Sequence, residues 1–276
     1  MTLTTHKAIL VFRKDWREIS RNWQVILPMV VIPFMFSILL PVLVVIIPSA
    51  ASTPGSSLSG LDAMMSSLPN HVKDELVEMT DQQIAVYMMS LYFFAPFFLI
   101  IPLMASSVIA ADSFAGEKER KTIEALLAMP ITDSQLFLGK VLVSFIPSMI
   151  VTSISFLIYS AVVDTFSYSL FGGRLLLPNA TWILLIFGLA PTVALASIGL
   201  TVMISARVKG FREAQQISAV LLIPIFMLVF GQVAGAIVFG PVMVAALIAL
   251  LAIIDLLIFR IGVKLFRREE IMTKLA

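Results

Sequence analysis

Along this chain the apolar residues gather into six long runs, at about 24–47, 86–111, 136–163, 182–204, 217–237 and 241–259, and most charged residues fall between them. A helix rising ~1.5 Å per residue needs roughly 20 apolar residues to cross a hydrocarbon layer ~30 Å thick, and each run is about that long or longer. The pattern predicts an all-α integral membrane protein of six transmembrane helices, with residues 1–276 forming one membrane domain. Ahead of the first run, residues 5–23 show a different period. On a wheel of ~100° per residue, Ala8, Ile9, Trp16, Ile19 and Trp23 fall near Phe12, while Lys7, Arg13, Lys14, Arg17 and Arg21 fall on the other side. That is an interfacial amphipathic helix, its tryptophans suited to the headgroup layer and its basic face to anionic lipid.

Composition agrees and removes other classes. With 59% apolar residues, 13% charged residues and a mean hydropathy of +1.02, the chain has too little polar surface to cover a soluble globule. An even number of spans puts both termini on one side, and that side holds all of the nineteen lysines and arginines except Lys73 and Arg174. Basic residues near span ends stay in the cytoplasm, so both termini are expected there. The net charge of +2 then reflects topology, and no nucleic-acid partner is expected. The first run is span-length and follows a charged segment, so a span is expected there rather than a cleaved leader. Residues 48–85 form the expected extracellular loop, Ser-, Pro- and Gly-rich at first and acidic afterwards. Asp74, Glu78 and Asp81 there read as a solvated face rather than a cation site.

The polar stretch 115–134 between the second and third spans differs from an ordinary connection. Glu117 precedes Lys121 and Arg120 precedes Glu124 by four residues, the spacing of pairs that meet on a helix surface. Ile123, Leu126 and Leu127 make an apolar stripe, and Pro130 ends the pattern. Thr132 followed by Gln135 is a capping-box signature for the start of the third span. A surface helix of about three turns is expected, held between two spans.

The string Glu117-Lys118-Glu119-Arg120-Lys121-Thr122-Ile123-Glu124-Ala125-Leu126-Leu127, then Met129-Pro130 and Gly139-Lys140, resembles the segment after the second span in permeases of the ABC-2 type, the type-2 ATP-binding cassette exporters. The resemblance implies a permease subunit that pairs with a second permease chain, identical or homologous, and with two P-loop ATPase subunits, and that moves a substrate outward across the plasma membrane. It also implies that residues 115–134 are a cytoplasmic coupling helix region. Glu117, Glu119, Arg120 and Glu124 would make charged contacts to the ATPase, and Ile123 and Leu127 apolar ones, with Thr122 part of the same motif. ATP and magnesium would then belong to the partner. In this chain the only Gly-Lys pair is Gly139-Lys140, with Ser134 five residues before the glycine and Val141 where a Ser or Thr would have to reach magnesium, so no P-loop is present. Nothing in the chain indicates a eukaryotic source, and a prokaryotic cell membrane is the expected location.

Polar residues inside the spans are few. Asp255 lies in the sixth, where a carboxylate needs a partner or water; a partner on another helix is expected, and a role in substrate entry or proton coupling stays open. Gln232 sits near the end of the fifth span between Gly231 and Gly235, whose spacing permits close helix approach. No catalytic or metal-binding residue is expected: there is no cysteine, His6 and His71 fall on opposite sides of the membrane, and neither His-Glu-x-x-His nor Gly-x-Ser-x-Gly occurs. Two alternatives stay open, a gradient-driven secondary transporter and an ATP-driven complex that transmits force without moving a solute.

Overall fold

In a computed structural model, residues 2–43, 76–122, 132–234, 236–237 and 239–265 are described, and all regular structure among them is helical. The N-terminal helix α1 covers Thr2–Ile19. Six further helices are long and apolar enough to cross a membrane: α2 (Trp23–Leu43), α3 (Asp81–Glu119), α4 (Asp133–Ser167), α5 (Ala180–Ser205), α6 (Phe211–Val233) and α7 (Pro241–Leu265). The chain is therefore a multi-pass membrane protein. Most of the loop expected at 48–85 lies outside the described residues.

Local chemistry accounts for the helix starts. Thr80 and Gln83 form a capping box ahead of α3, Thr132 and Gln135 form another ahead of α4, and Asn22 and Asn179 cap α2 and α5 through their side chains. The second span is much longer than the apolar run, because its capping box starts the helix at Asp81, five residues before that run begins, and its far end continues through charged residues to Glu119. Its termination is also visible. Lys121 adopts a left-handed backbone with φ of 59°, Thr122 N–H reaches the Glu117 carbonyl at 3.0 Å, and Lys121 N–H reaches that of Lys118 at 3.2 Å. This is a Schellman ending with lysine where glycine is usual. The first residues of the surface helix expected from Glu117 are thus the last turn of α3, which Lys121 leaves in a left-handed conformation, and the rest of that expected helix lies outside the described residues.

Helix α3 is the central element, with 83% of its apolar window buried against 11% for α7. Among the described residues four π-helical turns interrupt the spans, at Met35–Leu39, Met89–Phe93, Asp112–Gly116 and Leu185–Leu189. Three of them stand just ahead of a proline, Pro41, Pro96 or Pro191, which lacks the N–H that a regular turn requires. Around Pro96 the carbonyls are taken by other helices: Tyr159 O–H donates to Ser90 at 2.7 Å and Trp182 Nε1–H to Leu91 at 3.0 Å. The same two side chains stack at 4.8 Å between centroids and meet Phe98 edge-on, giving α3, α4 and α5 a common aromatic core.

Helix α7 is held against α5 by two glycines. A Cβ at Gly188 would lie 2.5 Å from Ile248 Cδ1, and one at Gly199 would lie 2.2 Å from Ile258 Cγ2, so each isoleucine fills the space a side chain would need. We predict that Gly199→Val lowers stability by about 1–3 kcal/mol through overpacking. Adding Ile258→Ala to the same chain recovers more than half of the loss; thermal unfolding in detergent of the single and double variants checks this.

Candidate functional site

The remaining π turn, Asp112–Gly116, has no proline behind it. It is instead where charge enters the helix bundle, and every residue in it is buried. Two side chains from it and three from nearby positions define the site: Asp112 and Ser113 in the π turn, Glu117 one turn on, Asp15 from α1 and Lys140 from α4.

Lys140 is 2% exposed. Its ammonium donates to the Ser113 carbonyl and to Glu117 Oε2, lies 3.6 Å from Asp15 Oδ2, and stands 5.2 Å above the centre of the Phe114 ring. A lysine so buried is tolerable only when its charge is paired and its donors are used, and all of that is provided here. Glu117, also 2% exposed, divides its carboxylate between two helices, since its other oxygen accepts from Lys14 Nζ at 2.6 Å. Ser113 Oγ–H closes the ring on Asp15 Oδ2 at 3.0 Å. One carboxylate thus ties α1, α3 and α4 together.

A second layer surrounds this core. Arg120 bridges Asp112 Oδ1 at 3.0 Å and Glu18 Oε1 at 2.9 Å, and Asn22 Nδ2–H donates to the same Asp112 oxygen at 3.1 Å. Burial works against the charges of Lys14 and Arg120, but the first is outweighed by Glu117 and Asp15 and the second by Asp112. Both pKa values are raised above the ordinary ones, so both side chains remain cationic at physiological pH.

Three carboxylates here, Asp15, Glu18 and Glu117, bring oxygens within 4.8 Å of one another, as a metal site would. Lys14 Nζ already fills that position, at 3.2, 3.5 and 2.6 Å from them. The arrangement is an ion network, and its chemistry is mechanical: it fixes the relative positions of three helices.

The remaining motif residues face elsewhere. Glu119 Oε2 accepts from Phe211 N–H at 2.9 Å, Lys118 Nζ donates to the Val208 carbonyl at 2.9 Å, and Thr122 Oγ1 donates to the Glu117 carbonyl at 3.3 Å. Ile123, Glu124 and Leu127 lie outside the described residues, as does Gly235. Gly231 lies against its own following loop, where a Cβ would stand 2.7 Å from Ile237 Cδ1. Gln232 is fully buried, and neither its amide atoms nor the carboxylate oxygens of Asp255 have a hydrogen-bond partner among the described residues. The structure therefore gathers Glu117, Glu119 and Arg120 around one end of α3 and leaves Asp255 and Gln232 apart from them.

The profile of the ABC-2 family transporter proteins matches residues 9–258. The chain belongs to the ABC-2 transporter family. No individually curated protein matches it. As an ABC-2 permease it is the transmembrane subunit of an ABC transporter, a kind of subunit that generally has no ATPase site of its own and works with an ATPase partner. The match covers both the network on α1, α3 and α4 and the motif ending α3, so the buried ions belong to the transporter domain itself.

Seven network residues were not singled out as site residues from the sequence of this permease: Lys14, Asp15, Glu18, Asn22, Asp112, Ser113 and Lys140. A signal existed for one of them. Asp15 falls about 60° from Phe12 on the helical wheel, on the apolar side of α1, where an isolated carboxylate requires a buried partner. We predict that Lys140→Ala, which leaves Glu117 and Asp15 short of a buried cation, lowers stability by about 3–5 kcal/mol. Glu18→Ala, at a half-exposed pair, changes it by less than about 1 kcal/mol. Thermal unfolding of the purified permease distinguishes the two.

Proposed function

We propose that this permease is the membrane subunit of an ATP-driven exporter, in which a separate ATPase acts on the segment after α3 and the bundle responds by opening an outward route. The observation that carries this reading is the Glu117 carboxylate shared by Lys14 and Lys140. A push on the chain just beyond α3 meets a junction at which α1, α3 and α4 are already joined, so it displaces three helices together rather than bending one loop.

This divides the labour within the motif. Glu117 and Arg120 spend their charges inside the permease and transmit; Ile123, Glu124 and Leu127 are the surface offered to the ATPase. The charged end of the bundle is the cytoplasmic one, by the distribution of basic residues. Helices α2, α6 and α7 are largely exposed in the single chain, which suits contact with lipid and with a second permease, identical or homologous, in an assembly with two ATPase chains. The apolar composition of the spans mildly favours a lipophilic cargo over an ionic one.

Purification of the tagged permease in mild detergent, followed by mass spectrometry of what accompanies it, is the test. A P-loop ATPase is expected with the unmodified chain and is expected to be lost with Glu124→Arg. Its absence across several detergents overturns the exporter reading.

A further inference from the structure

The helix that begins the fifth span has an unusual start. Gly210 occupies its N-cap and has no side chain with which to accept from the first-turn N–H groups. Such groups carry a partial positive charge and need an acceptor. Here it comes from elsewhere in the chain, as the Glu119 carboxylate accepts from Phe211 N–H at 2.9 Å across 92 residues of sequence. Glycine is what permits the approach, since a Cβ at Gly210 would stand 2.6 Å from the accepting oxygen. Lys118 makes a second tie one residue earlier in the motif, to the Val208 carbonyl. Beneath both, Val208, Phe211 and Ala214 are buried in one apolar cluster with Ile109, Ala111 and Ala115 of α3.

We infer that Glu119 is a positioning residue that caps α6 in trans, so that the start of the fifth span moves with the end of α3 as one body. The inference rests on the exporter reading and adds a second line of transmission to it. Glu117 and Lys140 carry motion to α1 and α4 through a buried ion pair. Glu119 and Lys118 carry it to α6, a span whose apolar window is only 22% buried and which also meets α5 through Thr201 and Ser218, whose hydroxyl oxygens lie 3.2 Å apart. Because the tie is a charge-assisted hydrogen bond backed by apolar packing, it persists through the cycle.

The chain contains no cysteine, which permits a clean test. The Glu119 Cγ, where a cysteine sulfur would stand, lies 3.4 Å from a Cβ at Gly210, so a sulfur carried on that Cβ can reach it at the ~2.05 Å length of an S–S bond. In the purified permease–ATPase complex returned to lipid, permease-dependent ATP hydrolysis and the amount of ATPase bound are measured together. Glu119→Ala is expected to lower the hydrolysis about fivefold, the factor for losing a typical helix cap, with ATPase binding unchanged. Glu119→Gln, which keeps the accepting oxygen, retains most of it. The pair Glu119→Cys with Gly210→Cys should resemble the alanine variant when reduced and recover when oxidised, because a covalent tie replaces the lost bond. Oxidised protein that stays slow overturns the inference, for the contact then has to open. So does reduced ATPase binding in Glu119→Ala that oxidation of the cysteine pair fails to restore, which would mean that Glu119 touches the ATPase. If the unmodified permease retains no ATPase at all, the exporter reading fails first and by a separate observation.

Discussion

One ammonium group, that of Lys140, sets the terms for the charged end of this protein. Taken out of water and enclosed at the start of a membrane helix, it requires negative partners at fixed places, and those partners come from two other helices. Meeting that requirement brings Asp15 of α1 under the bundle and turns Glu117 inward. It also explains why the π turn at Asp112–Gly116 exists without a proline: the turn delivers the Ser113 carbonyl and hydroxyl to the same ammonium. The motif after the second span is thus built around a buried cation supplied by the third.

The opposite end of the bundle solves a different problem by the same means. There Pro96 has no N–H to offer the turn before it, and Tyr159 and Trp182 from neighbouring helices donate to the Ser90 and Leu91 carbonyls of that turn. In a lipid environment an orphaned carbonyl has no water to fall back on. Prolines in the spans are therefore points where one helix becomes dependent on another, and α3 is fastened near both ends, by ions at one and by aromatic hydrogen bonds at the other.

Much of this was legible beforehand because hydropathy and span length report directly on the bilayer. Six apolar runs gave six spans, Thr132 and Gln135 marked the start of α4, and the string from Glu117 to Lys140 carried the family resemblance. What could not be read was the phase of the charged residues. Spacings of four suggested that Glu117 would meet Lys121 on a surface helix, yet Lys121 leaves the helix through a left-handed turn and Glu117 turns to Lys14 and Lys140. Partners separated by 103 and 23 residues leave no local pattern. Only Asp15, misplaced on the apolar side of an amphipathic helix, betrays the network. The same limit applies to Glu119, whose hydrogen-bonding partner is a backbone N–H and leaves no mark in the composition.

The π turn at the charged end also bears on how such a motif drifts over time. Each residue of an α-helix advances the face by about 100°, so the extra residue a π turn accommodates sets the direction in which everything after it points. Loss of one residue in 113–116 would leave every letter from Glu117 to Leu127 intact and swing Glu117 and Arg120 roughly a quarter-turn away from Lys140 and Asp112. A homologue could thus preserve the motif to the eye while its charges address a different helix. Comparisons within the family should therefore align the count of residues between Pro102 and Glu117 as carefully as the motif itself.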